Sequence, residues 1–424
     1  MVEDTKPVSK LSIISWALYD LANTIFSFNI ISIHMALWVV NDMGGTDSQY
    51  AFANSLSMFM VIFTAPLLGA MSDKSGRRIP FLAGTTIVCV IFTMFLGTGG
   101  LSTSLVIFVI ANYMFQSGLV FYDALLPAVS NDKNRGKVGA FGVGLGYVGS
   151  LIAVITGIML FDTVGRIGMF QMTAGFFLIF SIPCFLFVKD IGTGPIRFGK
   201  ETFKNSLIQL KLTLSKTNQF PGLRRFFIGR VFYADTVNTL ILFMGIYVTN
   251  ELGFTDDQVQ QILAFAIVSA IIGAPIWGII VDRIGPKKTL NAVLFMWMVI
   301  LAGIAAIPIW GFNESLMWGI APIAGVAIGG TWCADRPYLV KLVSPKYIGE
   351  MFGVYSMTGR FGSVAGPFMW AMVAEKVTVF GIEIGFNLGR PVAVISLLVL
   401  IIVSYFILSG VSDNPSKQAS DYNE

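Results

Sequence analysis

Two stretches of the chain share one pattern of residues. Residues 66–78 read PLLGAMSDKSGRR, and residues 275–288 read PIWGIIVDRIGPKK. Pro, Gly, Asp and Gly recur in both at identical internal spacings, and two basic residues close each stretch. The two aspartates, Asp73 and Asp282, lie 209 residues apart in a chain of 424. A match at that interval indicates that half of the chain is a duplicate of the other half.

The composition indicates what kind of chain is duplicated. Hydrophobic residues make up 55% of it and charged residues only 12%, about half the charged share of a soluble globular protein. A soluble chain of this length needs far more charge to cover its surface. Twelve membrane spans of about 20 residues each would use roughly 240 positions, close to the apolar total. We therefore predict an all-α polytopic membrane protein.

Hydrophobic runs separated by charged or Gly/Pro clusters predict twelve transmembrane helices. The predicted spans are 12–40, 49–71, 80–98, 103–127, 139–160, 168–188, 224–249, 259–281, 289–310, 315–342, 350–374 and 388–409. The longest loop lies between the sixth and the seventh span. We therefore expect an N-terminal six-helix bundle (1–188), a cytoplasmic linker (189–223), a C-terminal six-helix bundle (224–410) and a polar tail (411–424). Within the linker, 201–214 is predicted as an amphipathic helix on the membrane surface.

The distribution of basic residues predicts the orientation. If the N-terminus is cytoplasmic, only three of the 28 Lys and Arg residues lie in the outer turns, namely Arg166, Lys376 and Arg390. Cytoplasmic loops of membrane proteins carry the excess of Lys and Arg. Both termini are therefore expected in the cytoplasm.

Other parts of the two halves also match. The pattern Asp-x-x-Asn-Thr occurs at 20–24 and again at 235–239, in spans 1 and 7. Gly precedes Asp by five residues at 118–123 and at 330–335, in spans 4 and 10. Phe-Gly at 141–142 matches Phe-Gly at 352–353 with an offset of 211. These matches support a duplicated six-helix unit.

At this point the sequence resembles a known superfamily. The motif Gly-x-x-x-Asp-x-x-Gly-Arg-Arg at 69–78, with its echo at 278–288, resembles the signature loop of the major facilitator transporters. Within that superfamily, WALYDLAN at 16–23 and GLGYVG at 144–149 resemble the vacuole effluxer family, which includes fungal amino-acid exporters linked to autophagy. The resemblance implies the major facilitator fold, two pseudo-symmetric six-helix bundles with spans 1, 4, 7 and 10 lining a central cavity.

Two departures separate the chain from one branch of that superfamily. Span 4 has no Arg between Asn112 and Gly118, where the drug/proton antiporters are expected to carry one. The Gly-Pro pair lies in span 11, at Gly366 and Pro367, and not in span 5. Drug antiport of that type is therefore disfavoured.

Charged residues inside the predicted spans mark a candidate site. Each costs about 2.5–3.5 kcal/mol at the centre of a membrane helix, so such residues face one another or water. Spans 1, 4, 7 and 10 hold one Asp each. Spans 7, 10 and 11 hold one Arg each, namely Arg230, Arg336 and Arg360. The candidate substrate- and proton-binding residues are Asp20, Asn23, His34, Asp123, Asp235, Asn238, Asp335, Arg336 and Arg360. Asp20 and Asp235 are the deepest and the primary candidates.

Several of these residues have a second interpretation. Asp123 and Asp335 could equally form a cytoplasmic gate with Arg336, Arg360 or Lys341, and Asp20 and Asp235 could be interhelical clamps. His34, the one histidine of the chain, fits a proton relay or outer gate, or a histidine hydrogen-bonded between helices. Arg230 lies off the Asp235 face and is expected to be structural.

The signature loops predict a conformational gate. Its candidate residues are Asp73, Arg77, Arg78, Asp282, Lys287 and Lys288. As the resemblance implies, each Asp caps or bridges helices of the two halves in the outward-open state. Breaking that bridge would accompany inward opening. The alternative is that the basic residues only anchor the loops in the cytoplasm.

These patterns predict a secondary transporter for a small polar or zwitterionic, amino-acid-like solute, working by alternating access and coupled to protons. The alternatives are a lipid, lysolipid or sugar transporter of the same fold, or a non-transporting membrane sensor. We expect no enzyme activity, no cofactor, no metal and no nucleic-acid partner, because the chain has one His, no metal-ligand spacing and no complete phosphate-binding loop. The expected partners are the solute, H⁺ and the bilayer. The expected state is a monomer in the cell (inner) membrane, or in the vacuolar membrane of a fungus.

Overall fold

The structure, a computed structural model, describes residues 9–75, 77–130, 135–190, 215–343, 347–379 and 382–411. These residues are overwhelmingly helical. The helices are α1 (Lys10–Asp42), α2 (Asp47–Ser75), α3 (Ile79–Met94), α4 (Gly100–Ala124), α5 (Arg135–Phe187), α6 (Leu223–Asn250), α7 (Asp256–Ile284), α8 (Pro286–Trp310), α9 (Met317–Leu342), α10 (Ile348–Ala374) and α11 (Arg390–Ser409). The predicted amphipathic helix at 201–214 lies outside the described residues.

Helix α5 contains two of the predicted spans. It runs for 53 residues, about 80 Å of helix at 1.5 Å per residue, which is enough to cross a bilayer twice. Gly165 breaks it with φ 64°, a left-handed conformation that costs glycine little. The break falls between the predicted spans 139–160 and 168–188. With α5 counted as two segments, the described helices account for all twelve predicted spans.

Helix α1 is irregular in its outer half. It is α-helical over Lys10–Phe26, π-helical over Ser27–His34, α-helical again over Met35–Leu37 and π-helical over Trp38–Asp42. π-Helical turns are rare and occur frequently at functional sites. The apolar pattern predicted one continuous span here and gave no sign of the wider turns.

The second signature stretch ends in a sharp turn between α7 and α8. Gly285 has φ 88°, which favours glycine, and Pro286 begins α8, where the missing N–H of proline loses no helical bond. A short antiparallel hairpin precedes α11, formed by β1 (Val377–Val379) and β2 (Ile382–Ile384), with Val377 opposite Ile384. The hairpin was not predicted.

The chain divides into two compact units. The first holds residues 1–45 and 56–207, and the second holds 46–55 and 208–424. In the first unit α1 packs against α5, and α3 packs against α4 and α5. In the second, α6 packs against α10 and α11, α8 packs against α9 and α11, and α7 packs against α9. The main pairings of the first unit thus recur in the second, as a duplicated six-helix unit requires.

The helices have the length and the surface of membrane spans. Within the described residues, eight helical stretches are long and apolar enough to cross a bilayer, those of α1, α4, α5, α6, α7, α8, α9 and α11. Large apolar side chains such as Met159 and Leu186 are about 70% exposed. A soluble protein rarely exposes so much apolar surface, whereas a bilayer covers it.

Candidate functional site

The first Asp-x-x-Asn-Thr motif packs against glycines of α5. A Cβ atom placed on Gly146 would lie 2.9 Å from Thr24 Oγ1 and 3.4 Å from Asp20 Oδ2. One turn earlier, a Cβ atom on Gly142 would lie 2.6 Å from the Trp16 ring. Gly142 and Gly146 therefore form a Gly-x-x-x-Gly surface that lets α1 approach closely, and Asp20 and Thr24 lie in that contact.

The second motif packs in the same way within the other unit. A Cβ atom on Gly366 would collide with Thr239 Oγ1 and lie 2.6 Å from Asp235 Oδ1. A Cβ atom on Gly362 would lie 2.9 Å from the Asp235 backbone nitrogen. The Gly366 N–H also donates a 2.7 Å hydrogen bond to Asp235 Oδ1. A buried carboxylate thus contacts α10 at Gly366, the residue before Pro367.

These contacts change how the two halves align. Gly142 and Gly146 correspond to Gly362 and Gly366, an offset of 220 residues. The first glycine of each pair follows a Phe, so the Phe-Gly dipeptides at 141–142 and 361–362 also correspond. The sequence match had paired 141–142 with 352–353. A Cβ atom on Gly353 would meet nothing within 4 Å, so that Phe-Gly pair does not form the helix contact.

The asparagines of the two motifs differ in their partners. Asn238 Nδ2 donates a 3.0 Å hydrogen bond to Ser363 Oγ. Asn23 is only 4% exposed, and neither atom of its amide has a hydrogen-bond partner in the described part of the chain. A buried amide without a partner costs about 1–3 kcal/mol and therefore needs an explanation.

Asp335 lies in a buried cluster of three helices of the second unit. Its Oδ2 accepts hydrogen bonds from Tyr355 (2.7 Å) and Tyr233 (3.3 Å), and Arg230 Nε lies 3.3 Å away in an ion pair. Arg230 also stacks on the Tyr355 ring, 3.5 Å from its centroid, and donates to Thr358 Oγ1 at 3.0 Å. Asp335 is fully buried. The cluster joins α6, α9 and α10. Arg230 thus links helices, as expected, and its ion-pair partner is Asp335.

Three other predicted charges are less buried than Asp335. Asp123 and Arg336 are exposed, and Arg360 is half-buried. Arg336 follows Asp335 directly in the chain. Within the second unit, the structure therefore joins Asp335 with Arg230.

His34 lies at the end of the first π-helical segment of α1. Its ring stacks on Phe161 of α5 with centroids 5.7 Å apart, and Arg166 lies over the same Phe161 ring at 5.1 Å. Arg166 also pairs with Asp42 at 3.0 Å. His34 is buried, and neither ring nitrogen has a hydrogen-bond partner among the described residues. The hydrogen bond between helices that we considered for His34 is therefore not found there.

The predicted gate residues are only partly described. The side chain of Asp73 lies outside the described residues, and Arg77, Asp282 and Lys288 are exposed. Lys287 Nζ lies 3.4 Å from the Ser409 carbonyl oxygen at the end of α11.

The start of α3 has a cap that the sequence analysis missed. Asp190 Oδ1 accepts hydrogen bonds from the backbone N–H groups of Arg78 (2.7 Å) and Ile79 (2.9 Å). It satisfies N–H groups that a helix start leaves open. The cap comes from a residue 112 positions away from Arg78, so no local signal predicts it.

A second cluster was also missed, at the ends of α2, α6, α10 and α11 within the second unit. Arg390 binds the buried Asp47 with two bonds of 2.8 and 2.9 Å and pairs with Glu251 at 3.1 Å. Trp370 Nε1 donates to Asp47 at 3.1 Å, and Glu375 accepts from the Asp47 N–H at 3.2 Å. The count of basic residues predicts only that Arg390 lies in an outer loop, because such a count does not assign partners.

Comparison with known proteins gives the fold a family. The family model described as Major Facilitator Superfamily matches residues 21–367 and 226–420. The chain is 26% identical over 439 residues to "Uncharacterized MFS-type transporter YxiO" of Bacillus subtilis (strain 168), covering 96% of each chain. It is 24% identical to "Multidrug resistance protein MdtG" of Dickeya zeae (strain Ech586), covering 81% of each. It is 22% identical to "Autophagy-related protein 22-1" of Aspergillus fumigatus, covering 57% of this chain and 44% of that protein.

Solved structures are similar in fold at low sequence identity. The nucleoside transporter NupG superposes with a TM-score of 0.70 at 15% identity, covering 95% of this chain and 98% of that one. A bacterial homolog of the human lysosomal transporter Spinster superposes with a TM-score of 0.70 at 14% identity, covering 95% and 97%. The family model, the twelve helical segments and the duplicated signature stretch agree: the chain belongs to the Major Facilitator Superfamily, integral membrane transporters and not enzymes.

Proposed function

We propose that the protein is a secondary active transporter that moves a small polar or zwitterionic, amino-acid-like solute by alternating access, with protons as the coupling ion. Its resemblance to the vacuole effluxer family supports an amino-acid-like solute. The protein is placed in the cell (inner) membrane, and the distribution of Lys and Arg supports both termini in the cytoplasm.

One observation carries this proposal, the repeated Asp-x-x-Asn-Thr motif in its helix contacts. Each unit places an Asp within a membrane helix against a glycine surface, Asp20 against Gly146 and Asp235 against Gly366. Asp235 is buried, and no described basic side chain forms an ion pair with it. Acidic residues inside transporter helices mark proton relays and solute sites. Asp20 and Asp235 are therefore the proposed coupling residues.

The test uses purified protein in proteoliposomes with an imposed pH gradient. We expect Asp20→Asn or Asp235→Asn to abolish uphill movement of labelled amino acids, because Asn keeps the size of Asp but cannot carry the coupled proton. Exchange of labelled for unlabelled solute without a gradient should survive in Asp235→Asn.

Asp162→Asn is the matched control, since Asp162 is an exposed carboxylate on α5. It should transport like the wild type. Undiminished uphill transport in both Asp20→Asn and Asp235→Asn would refute the assignment of the coupling residues.

A further inference from the structure

The two copies of the Asp-x-x-Asn-Thr motif are related by duplication, yet their asparagines have different surroundings. Asn238 is satisfied inside its own unit by Ser363, at 3.0 Å. Asn23 is 96% buried, and both its amide oxygen and its amide nitrogen have no hydrogen-bond partner within the described ranges. Both halves thus have the asparagine, but only Asn238 has a hydrogen-bond partner among the described residues.

The alignment of the glycine surfaces explains the difference. Gly142 corresponds to Gly362, so the residue that follows, Val143, is aligned with Ser363. Valine has no polar atom and cannot accept from the Asn23 amide. The first unit therefore leaves open the hydrogen bond that Ser363 makes in the second unit.

Two polar side chains belong to the same helix packing as the open amide. Asp20 lies one helical turn before Asn23, and side chains three residues apart on a helix are about 5–6 Å apart at Cβ. The Tyr122 hydroxyl also lacks a hydrogen-bond partner among the described residues, and it lies 3.5 Å from where a Cβ atom on Gly142 would be. A carboxylate, an amide and a phenol hydroxyl thus belong to one stretch of the α1, α4 and α5 packing.

We propose that Asn23 recognises the transported solute by donating a hydrogen bond from its Nδ2 to the solute carboxylate, while Asp20 faces the solute ammonium. The second copy, with Asn238 already bonded to Ser363, does not read the solute in this way. Only the first half therefore binds the carboxylate and ammonium of the solute, because residue 143 is a valine where the second half has Ser363. This inference rests on the proposed function, since it assumes a zwitterionic solute.

The first test measures the half-saturating concentration of leucine in counterflow with the full-length protein in proteoliposomes. Asn23→Ala should raise that concentration about tenfold or more, because a hydrogen bond to a charged group is lost. An unchanged half-saturating concentration in Asn23→Ala would overturn the inference.

Val143→Ser is the sharper variant, because it adds the missing partner and removes nothing from the solute. It should raise the half-saturating concentration about tenfold and also raise the unfolding temperature, since the buried amide is then satisfied without a ligand. Val148→Ser is the matched control: Val148 is 43% exposed and Val143 is 42% exposed on the same helix. Val148→Ser should leave the half-saturating concentration unchanged, and an equal effect in both serine variants would overturn the inference.

The outcomes separate this inference from the proposed function. If the wild type exchanges leucine and both Asn23→Ala and Val143→Ser keep its half-saturating concentration, the role of Asn23 is wrong and the transporter assignment stands. If the wild type exchanges no amino acid, the proposed function fails and the inference fails with it.

Discussion

The most consequential single contact is the ion pair between Arg230 and Asp335. Both side chains are almost fully buried, and two tyrosine hydroxyls and Thr358 supply further hydrogen bonds. A buried ion pair is weak support for stability as a whole, but removing one partner leaves an uncompensated charge. Three helices of the second unit depend on this cluster.

The first prediction concerns that cluster. Arg230→Met should lower the free energy of unfolding by about 3–5 kcal/mol, because Asp335 would remain buried with no cation beside it. The measurement is thermal or denaturant unfolding of the detergent-solubilised protein.

The double variant Arg230→Met with Asp335→Leu provides the control for this prediction. It should recover part of the lost stability, since it removes the uncompensated charge while the Tyr233 and Tyr355 hydroxyls lose their acceptor. Equal stability of Arg230→Met and the wild type would contradict a stabilising role of the ion pair between Arg230 and Asp335.

The sequence predicts which buried charges need a partner, but not which residue is the partner. The cost of membrane charges correctly singled out Asp335 as a residue that needs compensation, but the candidate partners were its neighbours along the chain and on span 11. The ion pair is made by Arg230, 105 positions away. Helical spacing assigns a residue to a face of its own helix and does not say which helix packs there.

At the level of elements, the glycines of α5 form the surface on which α1 packs. Gly149 lies directly against the backbone of Leu21, and a Cβ atom there would collide with the Leu21 carbonyl oxygen. Gly144, on the same helix, would meet nothing within 4 Å. The close approach is therefore specific to one face of α5.

The second prediction tests that face. Gly149→Ala should destabilise the protein by about 1–3 kcal/mol, since a backbone collision is relieved only by moving a helix. Loss of stability should appear as a lower unfolding temperature in detergent. Gly144→Ala, the matched control, should leave stability unchanged or raise it by up to about 1 kcal/mol through helix propensity. Identical unfolding of the two alanine variants would refute the proposed packing face.

The sequence predicts the positions of the helices well and their backbone irregularities poorly. Hydropathy located the helices to within a few residues, and the gap between predicted spans 5 and 6 contains Gly165, where α5 breaks. The π-helical turns after Phe26 were not foreseen, because hydropathy does not encode the backbone hydrogen-bond pattern. The Phe-Gly match was placed nine residues away from the pair that makes the contact, because the dipeptide occurs at both 352–353 and 361–362.

At the level of the whole molecule, the duplication has kept the helix packing and changed the polar chemistry. With the offset of 215 residues that relates Asp20 to Asp235, Ser15 occupies the place of Arg230. Asp123, which matches Asp335, is exposed, whereas Asp335 is buried. The buried ion pair between Arg230 and Asp335 thus belongs to the second unit, whereas the buried Asn23 amide, which has no hydrogen-bond partner among the described residues, belongs to the first. Equivalent positions of the two halves therefore differ in their polar contacts.

The measurement that tests the central claim most directly is solute accumulation by wild-type protein in proteoliposomes with an imposed pH gradient. Labelled amino acids, nucleosides, sugars and lysolipids are offered separately, and a protonophore is added at steady state. We expect that at least one zwitterionic amino acid accumulates above equilibrium and that the protonophore releases it. Accumulation of only a nucleoside, a sugar or a lysolipid, or amino-acid movement that ignores the pH gradient, would contradict it.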